Sequence, residues 1–283
     1  MVFHKFGEKL YSGLTAHLKE IARSIEATLE GSFLEEMNRK WSDHNKASDM
    51  IRDIMMYMDR TYIPDAGPSV YEQEFETHFL QVSAEFYRAE SQKFIECCAC
   101  GDYLKNSEKR LNKEMDRVNH YLDPGTGKKI TNVVKKEMIE NYMLILIHKE
   151  NSGLVSMLCY DKYDDLGRMY NLFRRVTDSL SKILEVMTSH NRESGKQLVT
   201  DPERLKDPVE FVQRLLDEKE KYDKIINLAF NKDGFFQNAL NSSFEYFINL
   251  NPRFQEFISL FVDDKVRQGL NGVTLDKVMM LFR

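Results

Sequence analysis

The sequence predicts an all-α protein, and three observations carry that prediction. Apolar residues recur at three- and four-residue steps over long stretches, the period of one helix face. The residues that punctuate chains are sparse, with 13 Gly and 6 Pro in 283 residues. No stretch sustains the two-residue alternation of a half-buried strand.

The prolines at 64, 68, 124, 202, 208 and 252 divide the chain into long uninterrupted intervals. The clearest run is Leu166, Met169, Tyr170, Phe173, Val176, Leu180, Ile183, Leu184 and Met187. A second is Phe75, Phe79, Val82, Phe86 and Ala89. A third is Phe211, Leu215, Tyr222, Ile225, Ile226 and Ala229. Asp207 before Pro208 reads as an N-cap followed by proline at the first helical position, opening the third helix. DPGTG (123–127) reads as a turn between helices.

Composition excludes several classes. Hydrophobic residues make up 42% and charged residues 30%, which suits a folded core rather than a disordered chain. A net charge of −5 gives no general reason to expect nucleic acid or an anionic membrane as partner. Four cysteines exclude a disulfide scaffold and suit a reducing compartment. The N-terminus lacks the apolar core of a secretory signal. The longest purely apolar stretch, 142–147, is far below the roughly 20 residues that span a bilayer. The expected location is the cytoplasm, the nucleus or both.

Catalytic and metal motifs are absent from the reading. GTGKK (125–129) lacks the first glycine of a phosphate loop and has Lys129 where Ser or Thr would bind magnesium. Cys97, Cys98 and Cys100 have no second ligand pair at finger spacing, so they read as reduced cysteines at a helix end. No histidine lies four residues from another. The Asp pairs 164–165 and 263–264 diverge on a helix and do not converge on a substrate. No cofactor and no enzymatic activity are expected.

One helix says more. Over WSDHNKASDMIRDIMMYMDR (41–60), Trp41, His44, Ile51, Met55 and Met58 share one face. Asp53, Met56, Tyr57 and Arg60 lie roughly opposite. A Tyr and an Arg side by side, away from the core stripe, have the composition of a binding hot spot.

These residues carry a resemblance. MIRDIMMYMDRTYI (50–63) resembles a first-repeat helix of cullins, in the class that recruits BTB-domain adaptors. SVYEQEFETHFLQVSAEFYRAESQKFI (69–95) resembles the second cullin repeat. ENSGLVSMLCYDKYDDLGRMYNLFRRV (150–176), FVQRLLDEKEKYDKII (211–226), NSSFEYFINLN (241–251) and ISLFVDDKVRQG (258–269) follow in family order. The wording is most similar to plant members.

The resemblance implies an elongated stalk of five-helix cullin repeats, the non-catalytic arm of a RING-type ubiquitin ligase that holds BTB substrate adaptors. It implies a partial first repeat over 1–63, a junction at 64–68, and second and third repeats over 69–283. Smaller gaps are expected near 13–15 and between Thr274 and Leu275. The C-terminal cullin half is read as absent, so a RING subunit is not an expected partner of this chain. Adaptor-facing positions carry over to Tyr57 and Arg60, and more weakly to Asp53 and Lys5. With neighbouring first-repeat helices missing, the face of Trp41, Ile51, Met55 and Met58 is expected to lack its cover. The alternative is a vesicle-tethering scaffold, which uses similar helical rods.

Overall fold

The computed structural model describes residues 33–62, 71–202 and 204–269, with isolated positions at 13, 16, 278 and 279. Among the described residues every regular element is helical and no strand occurs. The α-helices are α1 (Phe33–Tyr62), α2 (Thr77–Cys97), α3 (Cys100–Tyr121), α4 (Pro124–Met138), α5 (Met143–His148), α6 (Leu154–Cys159), α7 (Tyr163–Phe173), α8 (Ser179–Thr200), α9 (Pro208–Leu228), α10 (Gly234–Ile248) and α11 (Phe254–Arg267). A π-helical turn, Tyr71–Glu76, runs directly into α2.

The chain forms two compact units. The first comprises residues 1–94 and 109–138, and the second comprises 95–108 and 139–283.

In the first unit, Val118, Leu122 and Ile130 form a small core packed by Phe75, Phe79, Leu80 and Val133. Around it lie buried carboxylates, each with a partner. Thr126 donates to Glu76 at 2.7 Å, and Lys129 donates to the other Glu76 oxygen at 2.6 Å and to Glu72 at 2.9 Å. Tyr87 donates to Glu114, which also pairs with Arg117 at 2.9 Å. Arg88 grips Glu137 with two bonds of 3.1 Å. Burial raises the Tyr87 hydroxyl well above its usual pKa, and the Glu114 hydrogen bond adds to the effect.

The α2 face differs from the sequence expectation. Val82 and Phe86 are 41% and 52% exposed, whereas Ser83, Tyr87 and Ser91 are buried. The reason is the Tyr87–Glu114 pair. A polar side chain whose partner is buried with it can replace an apolar one on the inner face, and hydropathy alone does not see this. The turn read at 123–127 is also shorter than expected. Asp123 Oδ1 accepts from Gly125 N at 2.8 Å, so 124–127 form the first turn of α4. An Asp cap with Pro at N1 outweighs the two glycines. Gly127 has a packing role: a Cβ there would lie 3.1 Å from Val118.

The second unit has an aromatic core. Phe173, Phe211, Tyr222, Phe230, Phe236, Phe244, Phe247, Phe257 and Phe261 are all at most 2% exposed. Phe230 and Phe236 stack with Tyr170 at centroid distances of 5.6 and 5.9 Å, and the Tyr170 hydroxyl donates to Asp233 at 2.8 Å. Phe211 on α9 meets Phe257 on α11 edge-on at 5.5 Å. The helix α8 lies so close to α10 that a Cβ at Gly195 would be 2.3 Å from the Phe247 ring. Asp207 caps α9 as the sequence suggests, accepting from Val209 N at 3.0 Å and Glu210 N at 3.1 Å.

The run from Leu166 to Met187 is two helices, not one. Residues 174–178 break it, with Asp178 left-handed at φ +57°. Ser179 shares its hydroxyl between Val176 O, at 2.9 Å, and Phe173 O, which also accepts from Val176 N at 2.7 Å. The apolar spacing continues across the break because both helices bury into the same core. The diverging Asp pairs read as expected: Asp165 takes Arg168 at 3.2 Å, and Asp263 takes Arg267 at 2.7 Å.

Candidate partner-binding face on the first helix

Helix α1 runs 30 residues without proline or glycine. Its inner side is only partly covered: His44 and Ile51 are half-buried, while Trp41 is 57% exposed and stacks on His44 at 5.6 Å. The side chains of Met55 and Met58 fall outside the described residues.

A stripe on the flank of α1 is apolar and open, whereas Met56, which the sequence reading placed on the opposite face, is half-buried. Tyr57 is 64% exposed, with Met50 at 65% and Ile54 at 57% along the same stripe. Steps of four and three residues place these three on one face over two turns, spanning about 10 Å. Asp53 sits on the edge of this stripe, one turn before Tyr57. Its carboxylate is held by Arg52 at 3.1 Å, and Arg52 also reaches Asp49 at 3.2 Å. That pairing keeps an acid at the rim and spends Arg52 on its own helix.

Of the sequence-selected residues, the structure thus brings Tyr57 and Asp53 to one exposed face. Arg60 follows one turn later on the α1 backbone, and its side chain lies outside the described residues. Lys5 also lies outside them. Met50 and Ile54 were not singled out from the sequence, although the 50/54/57 spacing was there to read. Among the described residues no group of three or more His, Cys, Asp or Glu is placed to hold a metal ion. No described helix is long and apolar enough to cross a membrane.

The exposed aromatic and aliphatic stripe of α1 thus belongs to an array of helices. The comparisons say which class of array. The family described as Cullin alpha solenoid domain matches in two stretches, residues 1–72 and 63–283, which overlap over residues 63–72. The chain belongs to the cullin family. It is 57% identical to Cullin-3A of Arabidopsis thaliana and 54% identical to Cullin-3B of the same plant, in each case over 100% of this chain and 48% of the relative. It is 36% identical to Cullin-3 of Dictyostelium discoideum, over 100% of this chain and 46% of the relative. The chain therefore spans about half the length of the curated relatives it matches. The stretch matched with Cullin-3A is 353 residues long, 70 more than the 283 here, so the alignment holds positions without a counterpart in this chain. The family match decides against the vesicle-tethering alternative.

Proposed function

We propose that these residues form the substrate-receptor arm of a cullin-type scaffold in a RING ubiquitin ligase, and that the outer face of α1 receives a BTB-domain adaptor. The observation that carries this reading is the exposure of Tyr57, a position that the cullin resemblance assigns to adaptors, with the exposed Met50 and Ile54 beside it. Arg60, Asp53 and Lys5 complete the proposed site. The chain contributes shape and surface, not bond chemistry. The proposed organisation is a partial first repeat over 1–63, a junction at 64–68, and second and third repeats over 69–283. Function in the cytoplasm and nucleus follows from this reading, with no role for nucleic acid or membrane.

A stable interface needs about 800 Å² from each partner. Two turns of one helix supply a fraction of that area, so affinity concentrates on the aromatic anchor. Tyr57→Ala is expected to weaken binding of a BTB adaptor by about 2 kcal/mol, or about 30-fold. The melting temperature should stay unchanged, because the ring is exposed. Adaptor titration by calorimetry and a thermal melt of the same variant check both. Unchanged affinity with intact folding would overturn the site. RING docking is proposed to use the part of the relatives beyond the matched region.

A further inference from the structure

Three residues distant in sequence meet in the second unit, and the adaptor reading uses none of them. Cys159 ends α6 and is exposed. Its Sγ lies 3.6 Å from Nε2 of His190, on α8. The other nitrogen of that ring, Nδ1, lies 2.9 Å from the hydroxyl of Tyr222, on α9. Tyr222 is fully buried, and Asn191, 1% exposed, flanks its hydroxyl. Spacing alone could not reveal this cluster, since 31 residues separate Cys159 from His190 and 32 separate His190 from Tyr222.

A nucleophile, a base within hydrogen-bond reach and a third group orienting the base is the geometry that activates a thiol. The proton inventory fits. With the ring proton on Nδ1, donated to the Tyr222 oxygen, Nε2 is left to accept the proton of the Cys159 thiol. Burial, with a smaller contribution from Lys221, lowers the proton affinity of His190, so the ring is neutral near pH 7 and able to accept. Burial and the nearby Glu218 raise the Tyr222 pKa, so its hydroxyl stays intact as a partner. The other three cysteines lack this arrangement. Cys100 is buried and donates to Leu146 O, while the sulfurs of Cys97 and Cys98 lie 3.4 Å from each other.

We propose that Cys159 is a modification site that exchanges with small disulfides of the oxidised-glutathione type, with His190 as its base and Tyr222 as the residue positioning that base. In the step, the Cys159 proton passes to His190 Nε2 and the sulfur attacks one sulfur of the disulfide. A new S–S bond forms, the old one breaks, and the leaving thiolate takes the proton from His190. Cys159 is oxidised to the mixed disulfide and one glutathione is released reduced, so the disulfide itself is the oxidant. Access is open at this point, because Cys159 borders the 160–162 turn, where Tyr160 is 75% exposed. The cation of Lys221 is near enough to depress the proton affinity of His190, and it suits the carboxylates of such a peptide.

The test treats the full chain with oxidised glutathione at neutral pH and follows each cysteine peptide by mass spectrometry. Cys159 should acquire the reducible adduct faster than Cys97, the other well-exposed thiol. His190→Gln should slow the reaction at Cys159 by about tenfold or more while leaving Cys97 unchanged. Tyr222→Phe, which keeps the ring volume, should slow Cys159 in the same direction and serves if the histidine variant does not fold. Equal rates at Cys159 and Cys97 in the unsubstituted chain overturn the proposal. So does an unchanged Cys159 rate in either variant when helicity is intact by circular dichroism.

Discussion

The two units bury their interiors by different means. The second packs ring on ring, with Phe173, Phe211, Phe236, Phe244, Phe247 and Phe257 nearly or wholly out of solvent. The first buries aliphatic side chains, among them Leu111, Val118, Leu122, Ile130, Val134 and Met138, and sets buried Glu76, Glu114 and Glu137 among them, each tied to a hydroxyl or a cation. Burial of apolar area is non-directional and tolerates imprecision. A buried carboxylate needs its partner in place, and leaving it unpaired costs more than the pair contributes. The first unit is therefore the more specified and the less forgiving of small polar changes. The second is the less forgiving of lost volume.

The largest effect that would sharpen this contrast is Phe247→Ala. It should destabilise the second unit by about 3–5 kcal/mol, through lost transfer energy and the cavity left behind. Next is Tyr87→Phe, one oxygen removed from the first unit. It should cost about 1–3 kcal/mol, because Glu114 loses a buried donor. Amide hydrogen exchange read residue by residue assigns each loss to its unit. If Tyr87→Phe is neutral, the polar interior contributes nothing beyond its packing.

Alkaline pH gives a third test. Burial pushes the Cys100 thiol up to about 12, in the second unit. The unfolded thiol ionises near 9, so the folded state holds more protons above that pH. That stability is present below about pH 9 and is lost as pH rises beyond it. Tyr87, Tyr71 and Lys129 in the first unit also have raised values, for which the loss starts only near pH 10. Denaturant melts between pH 8 and 11 should show the second unit weakening first, and Cys100→Ala should remove that lead. The smallest effect is Phe86→Ala. Its ring is half-exposed with Arg110 at 5.7 Å, and the loss should stay under about 1 kcal/mol by thermal melt. A larger loss would restore the apolar face that the sequence suggested for α2.

That face shows where sequence reasoning stops. The α9 run was legible because all of Phe211, Leu215, Tyr222, Ile225, Ile226 and Ala229 are buried, and its cap at Asp207 is local. The α2 face was not, because its inner residues Ser83, Tyr87 and Ser91 are polar and the partner of Tyr87 lies 27 residues away. The break at 174–178 escaped because apolar spacing reports the core, not the backbone path. At the candidate site, the wheel put Tyr57 outward, where the structure has it. It passed over Met50 and Ile54, whose exposure depends on what fails to cover them.

Gly195 carries a consequence for how α8 and α10 find each other. With no side chain there, the Phe247 ring lies against bare backbone. The arrangement works as a key in a notch: sliding α10 by one turn would drive the ring into the side chains of Asn191 or Val199, both already buried. A single missing carbon thus selects one alignment among several that hydrophobic matching alone would accept. Gly195→Ala would force the two helices apart rather than fill a space, and the fidelity of their pairing would be lost along with its strength.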